Sequence, residues 1–363
     1  MKFRVLKKDD YSSIAELLSN WFGGSPQNWK NRFYHWWEQN PAFEENMISG
    51  WVLETESKDI PGFLGNIPRL FKLGDKHVIS GISSSMYVKD EYRHHSLKMF
   101  YTSLAETPFR LAVGMPEKLR PMHDRLGFKK VPLDSFNRTI FWVLDSRKFV
   151  KSISLFKGVP LFLSSLMGWL GALPLSVVNR GWCKWDKIRN IELRVEEVTE
   201  CGSEFDELWN RVSRHYSAIS VRTAKVLNWC YGVKENGVLK HNMLACVDGK
   251  SISGYAVYRL VENPRLHLKR LQIVDIFVES QKKDVVLALL NSIVNAGIKL
   301  GAVTVEVTGG AEWIEQTFKS TRPFIRNNPV VQPYYLVKNS TLSEKLENSD
   351  AWYITDFDSD AVL

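Results

Sequence analysis

The sequence predicts an α+β protein made of two similar domains, each with a mixed, mostly antiparallel sheet flanked by helices. Three observations support this fold class: β-rich runs joined by short turns, a strand–helix–strand unit after them, and a second series of elements in the same order. The chain has 363 residues, whereas a single hydrophobic core stops growing at roughly 250 to 300 residues. We therefore expect domains at 1–145 and 195–363, joined by an apolar and basic helical linker at 146–194.

In the first domain, the spacing of apolar and turn residues predicts strands early and a crossover late. The expected elements are a strand at 3–6, helices at 11–21 and in WKNRFYHWWEQNP, strands in ISGWVLETE and at 61–73 and 77–88, a helix in LKMFYTSLAE, a strand in RLAVGM, a helix in PEKLRPMHDRLGF and a strand in RTIFWVLD. We expect this last strand to close the first sheet.

The second domain shows the same order of elements. The expected elements are helices at 201–212 and 224–231, strands at 241–247, 251–260 and 266–278, a helix at 282–300 and a strand at 302–307. Landmark residues recur every 24 to 27 positions in both halves, namely Trp36, Gly62, Val88 and Val113, then Trp229, Gly254, Val278 and Val305. This spacing indicates a duplicated domain. An acidic C-terminal tail, expected to fold back on a basic surface, follows the second copy.

Composition and charge limit the classes of function. Apolar residues make up 44% of the chain and charged residues 24%, as in packed globular proteins. The net charge of +8 suits an anionic partner such as a phosphorylated cofactor, an anionic membrane or a nucleic acid. Because no run of like charge stands out, no nucleic acid other than a tRNA is expected as a partner.

The cysteines and the N-terminus bear on the compartment. Cys183, Cys201, Cys230 and Cys246 are widely spaced and lack the paired spacing of a metal site, so we expect reduced thiols and no metal. The stretch MKFRVLKKDDYSSIAELL carries charges where a signal peptide needs an apolar run. These features predict a cytoplasmic protein, with membrane association left open by the linker.

The linker contains an uncharged stretch, GVPLFLSSLMGWLGALPLSVVN at 158–179, with basic residues on both sides. Its length is that of a membrane span, but Pro160 and Pro174 would break a single helix. Three interpretations stay open: helices packed between the domains, a peripheral contact with a membrane surface, and a true span.

The stretch VKDEYRHHSLKMF, from Val88 to Phe100, has the pattern of a strand end, a basic loop and the first turn of a helix. Free N–H groups at a helix start attract phosphate. The order of elements, this loop and the motif HDRLGFKKV together resemble the GNAT acyltransferase fold. The resemblance covers residues 1 to about 145 by motif and about 195 to 338 by topology alone.

In the GNAT family this loop usually reads Arg or Gln, two residues, Gly, one residue, and Gly or Ala, and its amides hold the pyrophosphate of an acyl-CoA. Matching that pattern puts Arg93 first, Ser96 at the first glycine and Lys98 last. The resemblance implies that acetyl-CoA or another acyl-CoA is bound by the residues Val88, Arg93, His94, His95, Ser96, Leu97 and Lys98. Since the glycines are lost, the stretch is either a modified coenzyme A loop or a turn that kept the fold without the ligand.

The resemblance also implies two catalytic candidates. His123 occupies the position where family members often carry a tyrosine that protonates the departing thiolate, and an imidazole can donate a proton near neutral pH. Asp275 lies on the strand that borders the acceptor cleft, where a carboxylate can take a proton from an amine. The alternatives are a packing histidine and a structural ion pair.

Three further residues are candidates for substrate binding. Trp36 and Trp37 belong to an aromatic helix that lies over the cleft in the GNAT fold, although aromatic stripes at helical spacing are usually core. Ser85 is the counterpart of Asp275 in the first half. The equivalent loop of the second half, ESQKKDVV, contains no glycine, so we favour the first half as the site.

These features predict an acyltransferase that moves an acetyl or acyl group from acyl-CoA to an amine of a small molecule or sugar. Few side chains are strictly needed for such chemistry, because positioning and backbone amides supply most of the catalysis. Two alternatives stay open: a catalytically inactive GNAT-like scaffold near a membrane, and a transferase that uses aminoacyl-tRNA.

Overall fold

The structure is a computed structural model that describes residues 1–105, 109–114, 119–232, 234–235, 238–327, 332–338, 340–360 and 363. Its strands are β1 (Lys2–Val5), β2 (Gly50–Glu54), β3 (Gly62–Leu73), β4 (Lys76–Val88), β5 (Phe109–Ala112), β6 (Lys129–Lys130), β7 (Arg138–Val143), β8 (Val195–Val198), β9 (Ala218–Ser220), β10 (Lys234–Glu235), β11 (Val238–Leu239), β12 (Asn242–Asp248), β13 (Ser251–Asn263), β14 (Leu268–Val278), β15 (Thr304–Thr308), β16 (Phe324–Asn327), β17 (Tyr334–Val337) and β18 (Trp352–Tyr353). Its α-helices are α1 (Tyr11–Phe22), α2 (Pro26–Phe33), α3 (Ser96–Ala105), α4 (Arg120–Arg125), α5 (Ser146–Phe156), α6 (Leu161–Trp182), α7 (Trp185–Arg189), α8 (Ser203–Val212), α9 (Ala224–Tyr231), α10 (Lys283–Lys299), α11 (Glu312–Lys319) and α12 (Ser340–Lys345).

Local chemistry explains several of these boundaries. α1 ends at Gly23, whose φ of +81° is favourable for glycine. α2 begins with Pro26 in its first turn, and the hydroxyl of Ser25 accepts a hydrogen bond from the Asn28 amide. The aromatic stretch that follows forms a π-helical turn at Tyr34–Glu38. The predicted strands and helices are found close to their expected positions, and the α+β fold class is confirmed.

Two mixed sheets have the same architecture. The first runs in the order β1-β2-β3-β4-β5-β17-β6 and the second in the order β8-β12-β13-β14-β15-β7-β16. The pairs β4/β5 and β14/β15 are parallel, and the other neighbours in these orders are antiparallel. Each sheet is therefore mostly antiparallel, as predicted for a tandem repeat.

The two halves exchange one strand each. β7, which we expected to close the first sheet, lies in the second sheet between β15 and β16, and β17 from the second half fills the equivalent place between β5 and β6. The assignment of β7 to the first sheet was therefore wrong. Trp142 on β7 is fully buried against Phe318 of the second half. Because both sheets have an equivalent strand position there, the sequence of a strand alone does not show which sheet it joins. The domain boundaries at residues 145 and 195 remain a prediction.

Two pairs of landmark residues of the predicted repeat occupy equivalent places, whereas Val113, which follows β5, does not match Val305 inside β15. Gly62 lies opposite Val88 in the first sheet, and Gly254 lies opposite Val278 in the second. A Cβ atom on Gly62 would lie 3.1 Å from a methyl group of Val88, and one on Gly254 would lie 2.7 Å from a methyl group of Val278. The glycines are thus needed for close strand packing at the same point of both copies.

The linker forms a helical hairpin, α5 followed by α6. α6 runs as one helix through Pro174, so the expectation that prolines would divide it was wrong. Pro160 is at the N-cap, where no helical N–H is needed, and Pro174 costs one internal hydrogen bond. Within the described residues, the stretch Leu161–Asn179 of α6 is the helix long and apolar enough to cross a membrane. Much of it is exposed rather than packed between two domains.

The acidic C-terminal segment does not lie on a basic surface. Trp352 and Tyr353 pair with β9, and the following residues enter the interior. Arg69 on β3 donates to the Phe357 carbonyl at 2.6 Å, and the hydroxyl of Thr355 donates to Asp275 on β14 at 2.7 Å. The segment therefore connects the two sheets from inside, which corrects the predicted surface position.

Candidate active site

The candidate site of the first half lies where β4 separates from β5. Within the described residues, these parallel strands form a single bridge, between Ser80 and Phe109. β4 continues to Val88 and pairs with β3 along its other edge. No strand of the described residues pairs with this edge of β4 from residue 81 to residue 88, although the Ser84 hydroxyl donates to the Asp360 carboxylate of the C-terminal segment at 2.9 Å.

A bulge in β4 marks the same stretch. Ser85 and Met86 together lie opposite Leu64, because the register with β3 shifts there. Ser85 has a φ of +52°, which costs a residue with a Cβ about 1 to 2 kcal/mol. Bulges are common next to active sites because they re-aim side chains. Ser85 therefore has the backbone geometry of a functional position, and its contact with a substrate stays a prediction.

Arg110 on β5 lies beside the separated strands, and sequence reasoning missed it. Its side chain is buried and donates to the hydroxyl of Ser83 on β4 at 2.6 Å and to the carbonyl oxygen of Ser103 on α3 at 3.0 Å. Burial lowers the pKa of the Arg110 guanidinium to about 10. Arg110 thus ties β4 to α3 where β5 no longer pairs with β4. An arginine inside the apolar run FRLAVG is the signal that would have pointed to it.

His123 is buried on α4, beside the rings of Phe100 and Phe128. Its Nδ1 lies 3.0 Å from the Leu119 carbonyl oxygen, so Nδ1 carries the proton. Burial lowers the pKa of the imidazole, which favours the neutral form. In that form Nε2 is a proton acceptor. The predicted role as a general acid would therefore require the charged imidazolium that burial opposes.

The predicted coenzyme A loop is a 3-10 helix, Asp90–His95, that continues directly into α3. The Tyr92 amide donates to Lys89 and the Ser96 amide donates to Arg93, so these N–H groups are already used. The first turn carries the carboxylates of Asp90 and Glu91. The loop therefore lacks the cluster of free amides that we expected at Ser96, because the 3-10 turn satisfies them internally.

The basic side chains of this helix remain at the surface. Arg93 pairs with Asp90 at 2.7 Å, and both side chains are well exposed. Lys98 lies over the Phe3 ring at 5.4 Å, and the rings of His94 and His95 are 4.0 Å apart. Leu97 is exposed, whereas Val88 is buried at the end of β4. Any anion held here would meet side-chain charges rather than backbone amides.

Trp36 and Trp37 are buried in the main hydrophobic core. The indole N–H of Trp37 donates to the Asn66 carbonyl oxygen at 2.9 Å, and its ring stacks on Phe33 with centroids 5.2 Å apart. Both tryptophans therefore have the core-packing role that we gave as the alternative to lining the acceptor site. Contact of either tryptophan with a substrate stays a prediction that their burial does not favour.

Asp275 belongs to a fully buried network in the second half. Its carboxylate accepts hydrogen bonds from Arg222 at 3.2 Å, from the Tyr255 hydroxyl at 2.9 Å and from Thr355 at 2.7 Å. Arg222 also pairs with Asp358 at 3.2 Å. Burial opposes the charge of Arg222, but the two carboxylates raise its pKa well above the ordinary value. This geometry favours the structural ion pair over proton transfer with an acceptor amine.

The separation of β14 from β15 is occupied by the chain itself. These strands pair from Arg270 to Ile273, after which β14 continues to Val278 paired with β13 on its other edge. The Tyr353 hydroxyl reaches the Ile276 carbonyl oxygen there, and Thr355 reaches Asp275. The C-terminal segment thus forms hydrogen bonds to β14 beyond its pairing with β15. On the corresponding stretch of β4, no strand pairs with this edge among the described residues, and the same segment reaches it through Asp360, which accepts a hydrogen bond from the Ser84 hydroxyl at 2.9 Å.

Cysteine and metal chemistry give no further site in the described ranges. All four cysteines are free thiols in the interior, and burial raises the pKa of the Cys230 thiol to about 12. No group of three or more potential metal-ligand side chains lies together in the part of the chain that the structure describes.

No family model matches the sequence, and no curated protein matches it. Solved structures do resemble it. A GCN5-related N-acetyltransferase from Anabaena variabilis superposes with a TM-score of 0.61 at 12% identity, covering 94% of this chain and 74% of that one. A conserved protein of unknown function from Enterococcus faecalis gives 0.58 at 9% identity, covering 93% and 72%.

The N-myristoyltransferase of Saccharomyces cerevisiae, solved with bound myristoyl-CoA, also resembles the chain. Its TM-score is 0.53 at 12% identity, and the match covers 98% of this chain and 83% of that one. These matches extend over both halves, including the region where the sequence resemblance rested on topology alone. The chain therefore has a tandem GNAT fold.

Proposed function

We propose that the protein transfers an acyl group from an acyl-CoA to an amine, with the acyl donor held by the first half. The acceptor amine attacks the thioester carbonyl carbon, the C–S bond breaks, and the coenzyme A thiolate takes up a proton. The acceptor is a small molecule or a sugar amine, as the sequence predicts. The GNAT fold supports this reaction class, and the chemistry of the site supports the choice of half.

The open edge of β4 carries the proposal. Coenzyme A contains two secondary amides in its pantetheine arm, and an unpaired strand edge binds amides as it would bind another strand. The stretch 81–88 offers such an edge. The positive φ of Ser85 marks the bulge in this edge. In the proposed complex the thioester lies beside the bulge, where a backbone N–H group would polarise its carbonyl oxygen.

The diphosphate of coenzyme A would be neutralised by side chains. Arg93 and Lys98 lie on successive turns after β4, and the ion pair of Arg93 with Asp90 is exposed and therefore weak. A phosphate can displace that carboxylate. His123, neutral with a free Nε2, is suited to accept a proton from the attacking amine rather than to donate one to the thiolate.

The second half offers fewer groups for the same ligand. The edge of β14 is covered by the C-terminal segment, and Lys282 is paired with Glu279 at the start of α10. The inactive scaffold near a membrane and the aminoacyl-tRNA transferase stay competing predictions. Location in the cytoplasm is likewise a prediction.

Calorimetric titration with acetyl-CoA and with a long-chain acyl-CoA tests the proposal. We expect micromolar binding that weakens at least tenfold in the Arg93→Ala, Lys98→Ala double variant. The Lys282→Ala, Lys283→Ala double variant removes the same charge from the equivalent loop of the second half and should bind as the parent does. Release of free thiol with a panel of amines then identifies the acceptor.

Absence of binding at millimolar ligand, or a loss confined to the Lys282→Ala, Lys283→Ala variant, would contradict the proposal. The first result would favour the scaffold or a tRNA substrate. The second would move the donor site to the other half.

A further inference from the structure

α6 exposes its large apolar side chains and buries small and polar ones, the reverse of a surface helix in a soluble protein. Six large apolar side chains, Phe162, Leu166, Trp169, Leu170, Leu173 and Val177, form one stripe and are 55% to 73% exposed. Their spacing, i, i+4, i+7, i+8, i+11 and i+15, is that of the face that normally packs on a core. The buried face instead carries Ser164, Gly168 and Asn179. A stripe of this extent on a single surface marks an interaction site.

The body of the protein holds this stripe outward. A Cβ on Gly168 would lie 3.0 Å from the Arg147 carbonyl oxygen, and one on Gly171 would lie 3.0 Å from Val150, so α5 packs closely on the inner face of α6. The Asn179 amide donates to the Val143 carbonyl oxygen of β7 at 2.9 Å. α6 is therefore fixed to the second sheet through β7, and its large side chains have no place on the protein side.

Charge identifies the partner of the stripe. Residues 146–184 contain six Lys and Arg and no Asp or Glu. The guanidinium of Arg147 lies 5.5 Å from the ring centre of Trp169, and that of Arg322 lies 5.8 Å from the ring centre of Trp182. Tryptophan beside arginine suits the headgroup level of a bilayer, where the ring is half buried and the cation meets phosphate. Basic residues around an apolar face favour anionic lipid.

We propose that the α5–α6 hairpin binds the surface of an anionic phospholipid bilayer, with α6 lying in the plane of the interface and its stripe in the outer acyl region. A spanning orientation would draw Arg147 and Lys151 into the hydrocarbon, because both flank the middle of α6 through its close packing with α5. The inference rests on the hairpin alone and is independent of the proposed acyl transfer.

Vesicle flotation of the full chain tests this contact. The parent protein should float with phosphatidylcholine–phosphatidylserine vesicles, and more weakly with phosphatidylcholine alone or at high salt. The Leu170→Glu, Leu173→Glu variant should lose at least tenfold of the binding, since both changes put a charge on the stripe without touching the interior. Val5→Glu, Ile325→Glu changes two apolar side chains exposed elsewhere and should bind as the parent does.

A second measurement tests depth without disrupting the surface. The four native cysteines are buried, so Leu173→Cys can be labelled selectively with an environment-sensitive fluorophore. We expect a blue shift on anionic vesicles and stronger quenching by lipids brominated near the headgroup than by lipids brominated at the chain end. Stronger quenching by lipids brominated at the chain end would contradict the in-plane contact and indicate that α6 spans the bilayer.

Three results would overturn the proposal: no flotation of the parent protein, equal flotation of the Leu170→Glu, Leu173→Glu variant, and an unshifted fluorophore. Light scattering adds the remaining case. A parent dimer that the Leu170→Glu, Leu173→Glu variant converts to a monomer, without vesicle binding by either, would show that a second copy covers the stripe.

Discussion

At the scale of single residues, Ser85 combines an unfavourable backbone angle with a place at the open edge of β4. Glycine carries no Cβ and adopts its φ of +52° without that cost. We therefore expect Ser85→Gly to raise the free energy of unfolding by about 1 kcal/mol, measured by urea denaturation. Met86→Gly, at the neighbouring position of the bulge where φ is negative, should lower it by about 0.5 to 1 kcal/mol. Equal destabilisation by both changes would show that Ser85 is not strained.

Asp356 is a half-buried carboxylate whose raised pKa makes stability depend on pH. It lies in a polar cavity of about 230 Å³ with Arg259 and Glu306, and burial raises its pKa from 3.8 to about 6. Between pH 3.8 and about 6 the folded protein therefore holds a proton that the unfolded chain has released, and the free energy of unfolding falls as the pH rises through this window. Asp356→Asn lacks this loss, so its stability relative to the parent should grow by about 1 to 3 kcal/mol across the window. Urea titrations at a series of pH values measure the difference, and a constant difference would contradict the assignment.

At the scale of elements, the close packing of α5 on α6 depends on glycine at defined points. Gly171→Leu would force a side chain into Val150 and should lower the free energy of unfolding by about 1 to 3 kcal/mol. Gly181→Leu makes the same change in the same helix where no atom lies within 4 Å of the added Cβ. Because leucine favours the helix over glycine by about 0.8 kcal/mol, this control should not destabilise. Equal thermal melting of both variants would mean that α5 and α6 do not pack as described.

The elements also show how far sequence reasoning reaches. The pattern of apolar residues placed β3, β4, β13, β14 and α10 closely, because these long elements carry a clear period. Short strands such as β17 and β18 have no such signal, since pairing with neighbouring strands, and not their own residue pattern, determines that they form strands. The 3-10 helix after β4 was not predicted, because we compared this stretch with a glycine-rich loop. Residues Asp90–His95 instead form hydrogen bonds within their own turn.

At the scale of the whole molecule, the exchange of β7 and β17 makes each sheet depend on both halves. The repeat was predictable from landmarks such as Gly62 and Gly254, which are set by close strand packing. The strand exchange was not predictable, because β7 and β17 take equivalent places and both sheets keep the same pattern of strands. A structural ion pair at Asp275 was among the predictions, but its partners Arg222 and Asp358 were not, because the three residues are distant in sequence and meet only when the C-terminal segment enters between the sheets.

This asymmetry between the halves is the basis of the proposed donor site. The C-terminal segment fills the strand separation of the second half through Tyr353 and Thr355. In the first half it reaches β4 through Asp360, which accepts a hydrogen bond from Ser84, and no strand of the described residues pairs with that edge beyond Ser80. The two halves thus share one architecture, and the proposed donor site uses the edge of β4, which has no paired strand beyond Ser80 among the described residues.

Hydrogen exchange resolved along the chain tests that claim most directly. Addition of an acyl-CoA should slow amide exchange at residues 81–88 of β4, since the pantetheine amides would occupy that edge, and should leave residues 274–278 of β14 unchanged. Protection at 274–278, or no protection in either stretch at saturating ligand, would contradict the account.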